Sequence, residues 1–426
     1  MGVTVLQSGV RSTAILVFAL LGCSGSDDGG TNGGSSGVPG SGGAASGGAG
    51  GSSSGGSNVG GAAAGSGAAG DPGVAGAGGS ASGGTAGSGG WAGGTPGTVI
   101  VDDPTLARTW PAAHGEAMIS LWSGDALGAL TITIDDNTQP DHAWWTAQAQ
   151  TYGLRLTWFV ITDNVKGGYG GTWAGFAQLV AAGHDVQSHT VTHLTGNLSI
   201  DQEYQQSQNA IEQNLPGVRA ITLAYPGGTN SSLNSQTVAA KYYVGARGTV
   251  GQQNPIGATN YMNVNSVSGT ITLATDHWAG LPNVVVKNPA HAKSFRAWHC
   301  IHYHLLTQGG KTNALAGFQW IQGHFGDLFV GLFRETLLYA RERDSATLTV
   351  PSVSPNQIVI DLKHSLSDAL FDQPLTIKVG LDASWSSATA SQAGAATPVK
   401  VIQFGGKPFA LVEAVPDRGP VIITSG

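Results

Sequence analysis

Two adjacent carboxylates end an apolar stretch of the sequence. Residues 130–134 alternate leucine or isoleucine with threonine, which predicts a half-buried β-strand, and Asp135 and Asp136 follow directly. Two like charges side by side cost free energy unless a cation or a proton neutralises one of them. The pair therefore predicts a chemical site at the end of this strand, in preference to a solvated turn.

A histidine pair further along the chain could complete such a site. His189 and His193 are four residues apart, so one helical turn would present both imidazoles on the same face. Two neutral imidazoles and one carboxylate make a three-ligand site with an open position, which is typical of catalytic zinc. The same ligands accept cobalt or nickel. The spacing of the two histidines is weak evidence for a metal site by itself, but together with the aspartate pair it predicts that a divalent metal binds here.

The segments around these residues indicate an α/β fold. Between about residues 99 and 343, strand-like and helix-like segments alternate, which predicts a (β/α) barrel with its chemistry at the strand ends. Beyond residue 345 the pattern consists of short strands only. We therefore expect a barrel domain over 98–345 and a small, β-sandwich-like domain over 346–426.

Three short motifs resemble those of a known family. "TITIDDN", "SHTVTH" and "AYPGG" are similar to the first three motifs of the polysaccharide deacetylases, the NodB-type carbohydrate esterases of family 4. Their order and the spacing of about fifty residues between the first two are typical of the family. The resemblance covers about residues 125–343. It implies a distorted (β/α) barrel, with Asp136, His189 and His193 binding a metal, most readily zinc.

The resemblance also implies roles for other residues. Asp135 would be the general base, and the backbone N–H of Gly227 would bind the oxyanion. The family's third motif usually carries an arginine that orients the base, but Ala224 stands at that position. Arg247, which follows another predicted strand, is our candidate for this task; the alternative is an ordinary surface arginine.

A general acid is expected near the end of the barrel. "AWHCIHYHLL" offers His302 and His304, which alternation places on the same side of one strand. His302 fits the family's pattern of an apolar residue before the histidine somewhat better, and the choice stays open. Cys300 lies on that side too, and we expect it to be a buried hydrophobe rather than a nucleophile.

Several residues could contact a sugar chain. Tyr225 and Pro226 lie in the third motif, and Trp173, with Tyr169 nearby, and Trp278 could stack on pyranose rings. The competing interpretation of each aromatic residue is that it packs in the interior.

The N-terminus predicts export. Arg11 precedes an apolar run over 14–21, which is too short to span a bilayer but suits a signal peptide. "LLGC" resembles a bacterial lipobox, which implies cleavage and lipid attachment at Cys23. Residues 24–97 are almost wholly Gly, Ser and Ala and predict a disordered tether. We expect a protein anchored through its lipid to the cell envelope, at the outer membrane or cell surface.

The net charge and the motifs together limit the range of possible functions. The net charge of −7 and the absence of a basic run argue against binding to nucleic acid. The function that fits best is metal-dependent removal of N-acetyl groups from chitin, peptidoglycan or a poly-N-acetylglucosamine. One alternative is hydrolysis of O-acetyl esters on an acetylxylan-like polymer. Another is glycan binding without catalysis, which Ala224 and Asn137 favour because they replace the usual arginine and a common glycine of the family pattern.

Overall fold

The computed structural model of the protein describes residues 101–104, 106, 108–229, 233–269 and 296–426. The predicted signal peptide with Cys23, the tether over 24–97 and Trp278 lie outside these residues. Within the described ranges, no helix combines the length and the apolar character needed to cross a membrane.

Strands and helices alternate as far as residue 345, and only strands follow. The elements of the first part are β1 (Ala117–Ile119), β2 (Gly128–Ile134), α1 (His142–Tyr152), β3 (Thr157–Val160), α2 (Trp173–Ala181), β4 (Asp185–Ser188), α3 (Ile200–Asn214), β5 (Thr222–Ala224), α4 (Gln236–Ala239), β6 (Gly245–Arg247), β7 (Val267–Ser268), β8 (Trp298–Tyr303), α5 (Gln308–Gln322), β9 (Leu328–Val330) and α6 (Phe333–Ser345). The strands that follow are β10 (Thr347–Ser354), β11 (Gln357–Lys363), β12 (Leu375–Gly380), β13 (Ala388–Gln392), β14 (Ala395–Ala396), β15 (Val399–Phe404), β16 (Lys407–Ala414) and β17 (Val421–Ser425).

The first part forms a curled parallel sheet covered by helices. Its strand order is β6-β5-β4-β3-β2-β8-β7, and β9 pairs with the first residues of β2. A single parallel bridge between Arg247 and Val264 links β6 to the segment before β7. The predicted distorted (β/α) barrel is confirmed.

Strand β2 is more deeply buried than its sequence pattern predicts. All seven of its residues are buried, so the prediction of a half-buried strand is wrong. Strands of a parallel sheet lie between neighbours and covering helices, which hides both faces from water. The buried threonine hydroxyls form hydrogen bonds within the protein: Thr131 accepts one from Trp298 Nε1 at 2.9 Å, and Thr133 donates one to Ile301 O at 3.0 Å.

The C-terminal region consists of two antiparallel sheets, which confirms the predicted all-β character. One has the order β1-β12-β16-β15 and the other β10-β11-β17-β13-β14. Strand β1 precedes the barrel in the sequence, yet it pairs with β12. One apolar cluster contains residues of both sheets, of α6 and of the barrel strands β2, β3, β5 and β8. The two parts therefore share a core.

A buried ion cluster joins segments that are distant in sequence. Asp102 Oδ2 lies 2.7 Å from Arg296 Nη1 and 2.9 Å from Lys378 Nζ, and all three side chains are inaccessible to water. Burial raises the pKa of Asp102, but the two cations outweigh it and hold that pKa below its ordinary value. The cluster connects the start of the described chain to the barrel and to β12.

Replacement of Asp102 should destabilise the protein strongly. Asp102→Ala would leave Arg296 buried without a carboxylate partner and Lys378 with Asp125 alone, and we expect a loss of about 3–5 kcal/mol in the free energy of unfolding. Urea unfolding followed by tryptophan fluorescence measures it. Asp361→Ala, which removes a partly exposed carboxylate 3.5 Å from Lys363, is the matched control and should cost less than about 1 kcal/mol. Equal effects of the two substitutions would contradict the role of the cluster.

Candidate active site

The carboxyl ends of the barrel strands bring the predicted site residues to one edge of the sheet. Asp135 and Asp136 follow β2, His189 follows β4, and Arg247 is the last residue of β6. His302 lies near the end of β8, and His304 comes directly after it. This is the edge where barrels of parallel strands carry their functional residues.

Asp136, His189 and His193 form a group that fits a divalent cation. The Nε2 atoms of His189 and His193 lie 3.4 and 3.6 Å from Asp136 Oδ1. Tetrahedral zinc with ligands at about 2.0–2.1 Å has ligands roughly 3.3 Å apart, which is close to these separations. Asp136 Oδ1 is buried and has no hydrogen-bond partner among the described residues. An acceptor left in this state is explained by a cation between the three side chains.

The tautomer of His189 suits this role. Its Nδ1 lies 2.8 Å from the carbonyl oxygen of Ala224, which can only accept a hydrogen bond. Nδ1 therefore carries the proton, and Nε2 turns its lone pair towards Asp136. Ala224 thus takes part in the site through its backbone, although its side chain cannot replace an arginine.

The two histidines do not share a helical turn, so that part of the prediction is wrong. Residues 189–194 form a loop in which Thr190, His193 and Leu194 adopt left-handed backbone conformations, with φ between 59° and 70°. The loop is held by Glu203, a residue that sequence reasoning missed. Its carboxylate accepts hydrogen bonds from the N–H groups of Val191 and Thr192, both at 2.8 Å, and from the Thr192 hydroxyl.

Asn137 locks the loop that carries the aspartates. Asp136, Asn137 and Thr138 all have positive φ, of 60°, 64° and 42°. The Asn137 side chain accepts from the N–H of Ile161 at 2.8 Å and donates to the carbonyl oxygens of Ile161 and Gly170. Asparagine tolerates the left-handed region better than most residues. Its presence in place of glycine is therefore compatible with a formed site.

Asp135 is held as a buried, ionised carboxylate. The structure brings it into an ion pair with Arg247, although the two residues are 112 positions apart. Burial raises the pKa of Asp135, but Arg247 and the nearby imidazoles outweigh burial and hold that pKa at about 2. Asp135 Oδ1 is buried without a hydrogen-bond partner in the described chain, so it is available to accept a proton.

Ser266 connects Arg247 to His302, a connection for which the sequence carries no signal. Ser266 Oγ donates to Gly248 O at 2.6 Å and accepts from Arg247 Nη1 at 3.0 Å. Ser266 Oγ also lies 2.8 Å from His302 Nδ1, and since its only proton is already donated, it must accept a hydrogen bond from the imidazole N–H. His302 therefore keeps its proton on Nδ1, and burial and Arg247 lower its pKa to about 3.

His302 and His304 lie close together but differ in exposure. Their ring centroids are 5.7 Å apart, so both are on the side of the strand that faces the aspartates. His302 is only 5% exposed. The His304 side chain is 45% exposed, and its Nε2 lies 3.8 Å from carboxylate oxygens of both Asp135 and Asp136. Of the two histidines, His304 is the one that a bound substrate can reach.

Comparison with known proteins agrees with this geometry. The polysaccharide deacetylase family model matches residues 127–246, which include the aspartate pair, the histidine pair and the turn that contains Gly227 and Gly228 (the glycine loop). These residues form a polysaccharide deacetylase domain. The chain therefore contains a domain that matches a family of polysaccharide deacetylases.

One curated relative extends the similarity beyond this domain. A gellan lyase from a Bacillus species is 37% identical over 341 residues, which cover 74% of this chain and 13% of that protein. The chain thus corresponds to a small part of this relative.

Solved structures of the family resemble the chain more weakly. A polysaccharide deacetylase from Bacillus cereus is 24% identical, covers 32% of this chain and 46% of its own, and has a TM-score of 0.29. A family 4 carbohydrate esterase from Streptomyces lividans, in complex with acetate, is 19% identical, covers 48% and 93%, and has a TM-score of 0.33. A putative polysaccharide deacetylase from Mycobacterium smegmatis is 14% identical, covers 54% and 94%, and has a TM-score of 0.36.

The glycine loop of the deacetylase domain exposes backbone to solvent, whereas the side chains of the residues before it are buried. Gly227 is exposed with φ of 67°, and its N–H has no hydrogen-bond partner among the described residues. Tyr225 is 1% exposed, and its hydroxyl donates to Met262 O at 3.0 Å. Pro226 is buried as well. The burial of both side chains argues against the prediction that Tyr225 and Pro226 contact substrate.

Of the two aromatic residues in the glycine-rich segment 166–173, Tyr169 lies near enough to Asp136 and Asp141 for their charges to act on its hydroxyl. Its side chain is exposed, and its pKa is raised by burial of the ring and by the charges of Asp136 and Asp141. Trp173 is instead the first residue of α2 and packs beside Phe176, with ring centroids 6.3 Å apart. For Trp173 the structure favours the packing interpretation over contact with a sugar.

Removal of Glu203 should weaken metal binding without removing a ligand. Glu203→Ala frees the loop that positions His189 and His193, and we expect metal affinity to fall about 10–100-fold. Competition with a chromophoric zinc chelator measures the affinity. Asp201→Ala, which removes a partly exposed acid from the same helix, is the matched control. An affinity of Glu203→Ala within about twofold of the control would contradict this role.

Proposed function

We propose that the protein removes N-acetyl groups from an amino-sugar polysaccharide of the chitin, peptidoglycan or poly-N-acetylglucosamine type, with the help of a divalent metal. The observation that carries the proposal is the juxtaposition of two carboxylates with different partners. Asp136 lies against two imidazoles, whereas Asp135 is paired with Arg247. Adjacent carboxylates with such different surroundings can perform different tasks.

Asp136, His189 and His193 would hold the metal, with zinc the best match to the ligands and cobalt or nickel also acceptable. A metal bound there would polarise the acetyl carbonyl and make the attacking water more acidic. Three protein ligands leave a coordination position open, as hydrolytic chemistry requires.

Asp135 would take the proton of the attacking water. A general base must be ionised before the reaction, and Arg247 keeps this carboxylate ionised despite its burial. Arg247 is therefore a positioning residue that acts through Asp135. Ser266 supports it from the opposite side of the guanidinium group.

The backbone N–H of Gly227 would bind the oxyanion that forms at the acetyl carbon. Such a donor stabilises charge that develops in the transition state, provided that it is free before the reaction. The exposure of Gly227 supports this role. Gly228 allows the turn, since a Cβ at that position would lie 2.1 Å from Thr249 Oγ1.

His304 would protonate the departing amine. This role needs an imidazole that reaches the substrate and carries a transferable proton. His304 lies at the opening beside both aspartates, whereas His302 is buried and its Nδ1 proton is engaged with Ser266. We therefore propose His304 in place of His302, the residue that the sequence pattern slightly favours.

Asp135→Asn should separate metal binding from catalysis. We expect the variant to bind the metal with near wild-type affinity while kcat for acetate release falls about 10²–10⁴-fold, because the amide cannot accept the proton of water. Enzymatic detection of acetate and measurement of metal content test the two parts. A variant with full activity would eliminate Asp135 as the base.

The two histidines can be distinguished by the leaving group. We expect His304→Gln to lower hydrolysis of an N-acetyl substrate about 10²-fold, and hydrolysis of 4-nitrophenyl acetate less than about tenfold, since nitrophenolate leaves without a proton. His302→Gln should affect both substrates to a similar extent. Selective loss of the amide reaction in His302→Gln, and not in His304→Gln, would reverse the assignment.

A panel of polymers tests the substrate class. Acetate release from chitin oligomers, peptidoglycan and poly-N-acetylglucosamine would support amide hydrolysis, and release only from acetylxylan would support the ester alternative. Gellan belongs in the panel because the Bacillus relative is named as a gellan lyase. Release that continues unchanged in a strong chelator would contradict metal dependence. Binding without any release would support a non-catalytic function.

A further inference from the structure

A second cluster of possible metal ligands lies in the C-terminal sheets. His364 follows β11, Asp368 belongs to the loop after it, and Asp417 lies in the turn between β16 and β17. One potential ligand atom from each residue lies within 4.8 Å of the others. None of these residues takes part in the deacetylase site.

The burial of His364 indicates that the cluster is more than a group of surface acids. The His364 side chain is inaccessible to water, and neither ring nitrogen makes a hydrogen bond with the described residues. Imidazole nitrogens buried in this way cost free energy unless something binds them. Two exposed carboxylates lie on the side that remains open to solvent.

The contact between His364 and Asp417 resembles two ligands of one cation. Nδ1 of His364 lies 3.0 Å from Asp417 Oδ2, yet the pair does not have hydrogen-bond geometry. A short separation without a hydrogen bond is expected where two lone pairs point at a common ion. The backbone supports the arrangement: His364 N–H donates to Asp417 Oδ2 at 2.9 Å, and Asp417 N–H donates to Leu362 O at 3.0 Å.

We propose that His364, Asp368 and Asp417 bind a divalent cation that stabilises the C-terminal region. One imidazole and two carboxylates suit Zn²⁺ or Mn²⁺ better than Ca²⁺, which prefers oxygen ligands alone. Water completes the coordination from the exposed side.

The ion would fasten a loop that also contacts the barrel. The loop after β11 meets Arg219, which precedes β5: Arg219 Nη2 donates to the carbonyl oxygens of Ala369 and Leu370 at 3.0 and 2.7 Å. Arg219 Nη1 also pairs with Asp372 at 2.9 Å. A cation that ties His364 and Asp368 to Asp417 therefore restricts a loop on which this contact with the barrel depends.

Metal stoichiometry tests the proposal independently of catalysis. Equilibrium dialysis of the full chain against micromolar Zn²⁺, followed by elemental analysis, should give about two ions for the wild type. His189→Ala, which disables the first site, should leave about one. Addition of Asp417→Asn or Asp368→Asn to His189→Ala should leave none, whereas the control Asp361→Asn should retain one.

Thermal unfolding provides a second measurement. Zn²⁺ should raise the Tm of His189→Ala in a concentration-dependent manner, because a ligand that binds only the folded state stabilises it. His189→Ala with Asp417→Asn should show no such shift. Asp368 and Asp417 are exposed, so their replacement by asparagine should not prevent folding.

Two results would overturn the proposal. If His189→Ala binds no zinc, His364 and Asp417 form an ordinary side-chain contact. If its single ion persists in the Asp417→Asn and Asp368→Asn variants, that ion binds elsewhere. The outcome is independent of the deacetylase proposal, since loss of this second site would leave the reacting groups in place, and failure of acetate release would leave the stoichiometry unchanged.

Discussion

The buried ion pair between Asp135 and Arg247 is the interaction on which the site depends. An isolated carboxylate in that position would take up a proton and could not serve as a base. In a flat sheet, β2 and β6 would be about 19 Å apart, because three strands lie between them at about 4.8 Å spacing. An arginine side chain cannot cross that distance. The curl of the sheet is therefore what places an ionised carboxylate beside Asp136, His189 and His193.

The sequence predicts which residues meet, because parallel strands end at one edge. Four of the site residues lie at or just after the end of a strand: Asp135, Asp136, His189 and Arg247. The local pattern of apolar residues in the sequence predicts such strand ends. The geometry between strand ends is not readable in the same way. The loop carrying His193 depends on Glu203 in the following helix, and a helical turn is only the simplest shape for a four-residue spacing. An acidic residue in the first turn of the next helix is the signal that could have indicated this support.

Long-range pairing limits the other predictions. Alternation along one strand places His302 and His304 on the same side but cannot say which of them is covered by Ser266 and its neighbours. The hydroxyl of the buried Tyr225 finds its hydrogen-bond partner in the carbonyl of Met262, which lies 37 residues away. Strand β1 lies before the barrel yet completes a C-terminal sheet, because its partner is β12. In each case the deciding contact comes from a distant segment, which composition and periodicity do not encode.

The departures from the family pattern have a structural explanation that leaves the site complete. Ala224 lacks the expected guanidinium group, but its carbonyl oxygen fixes the tautomer of His189, and the positive charge reaches Asp135 from the end of the neighbouring strand. Asn137 replaces a glycine at a left-handed position and adds three hydrogen bonds that a glycine could not make. A site that had lost its function would have no reason to keep an ionised carboxylate beside three residues that fit a metal ion, since that arrangement costs free energy. The relocation of the arginine from β5 to β6 therefore supports a catalytic role more than a purely binding one.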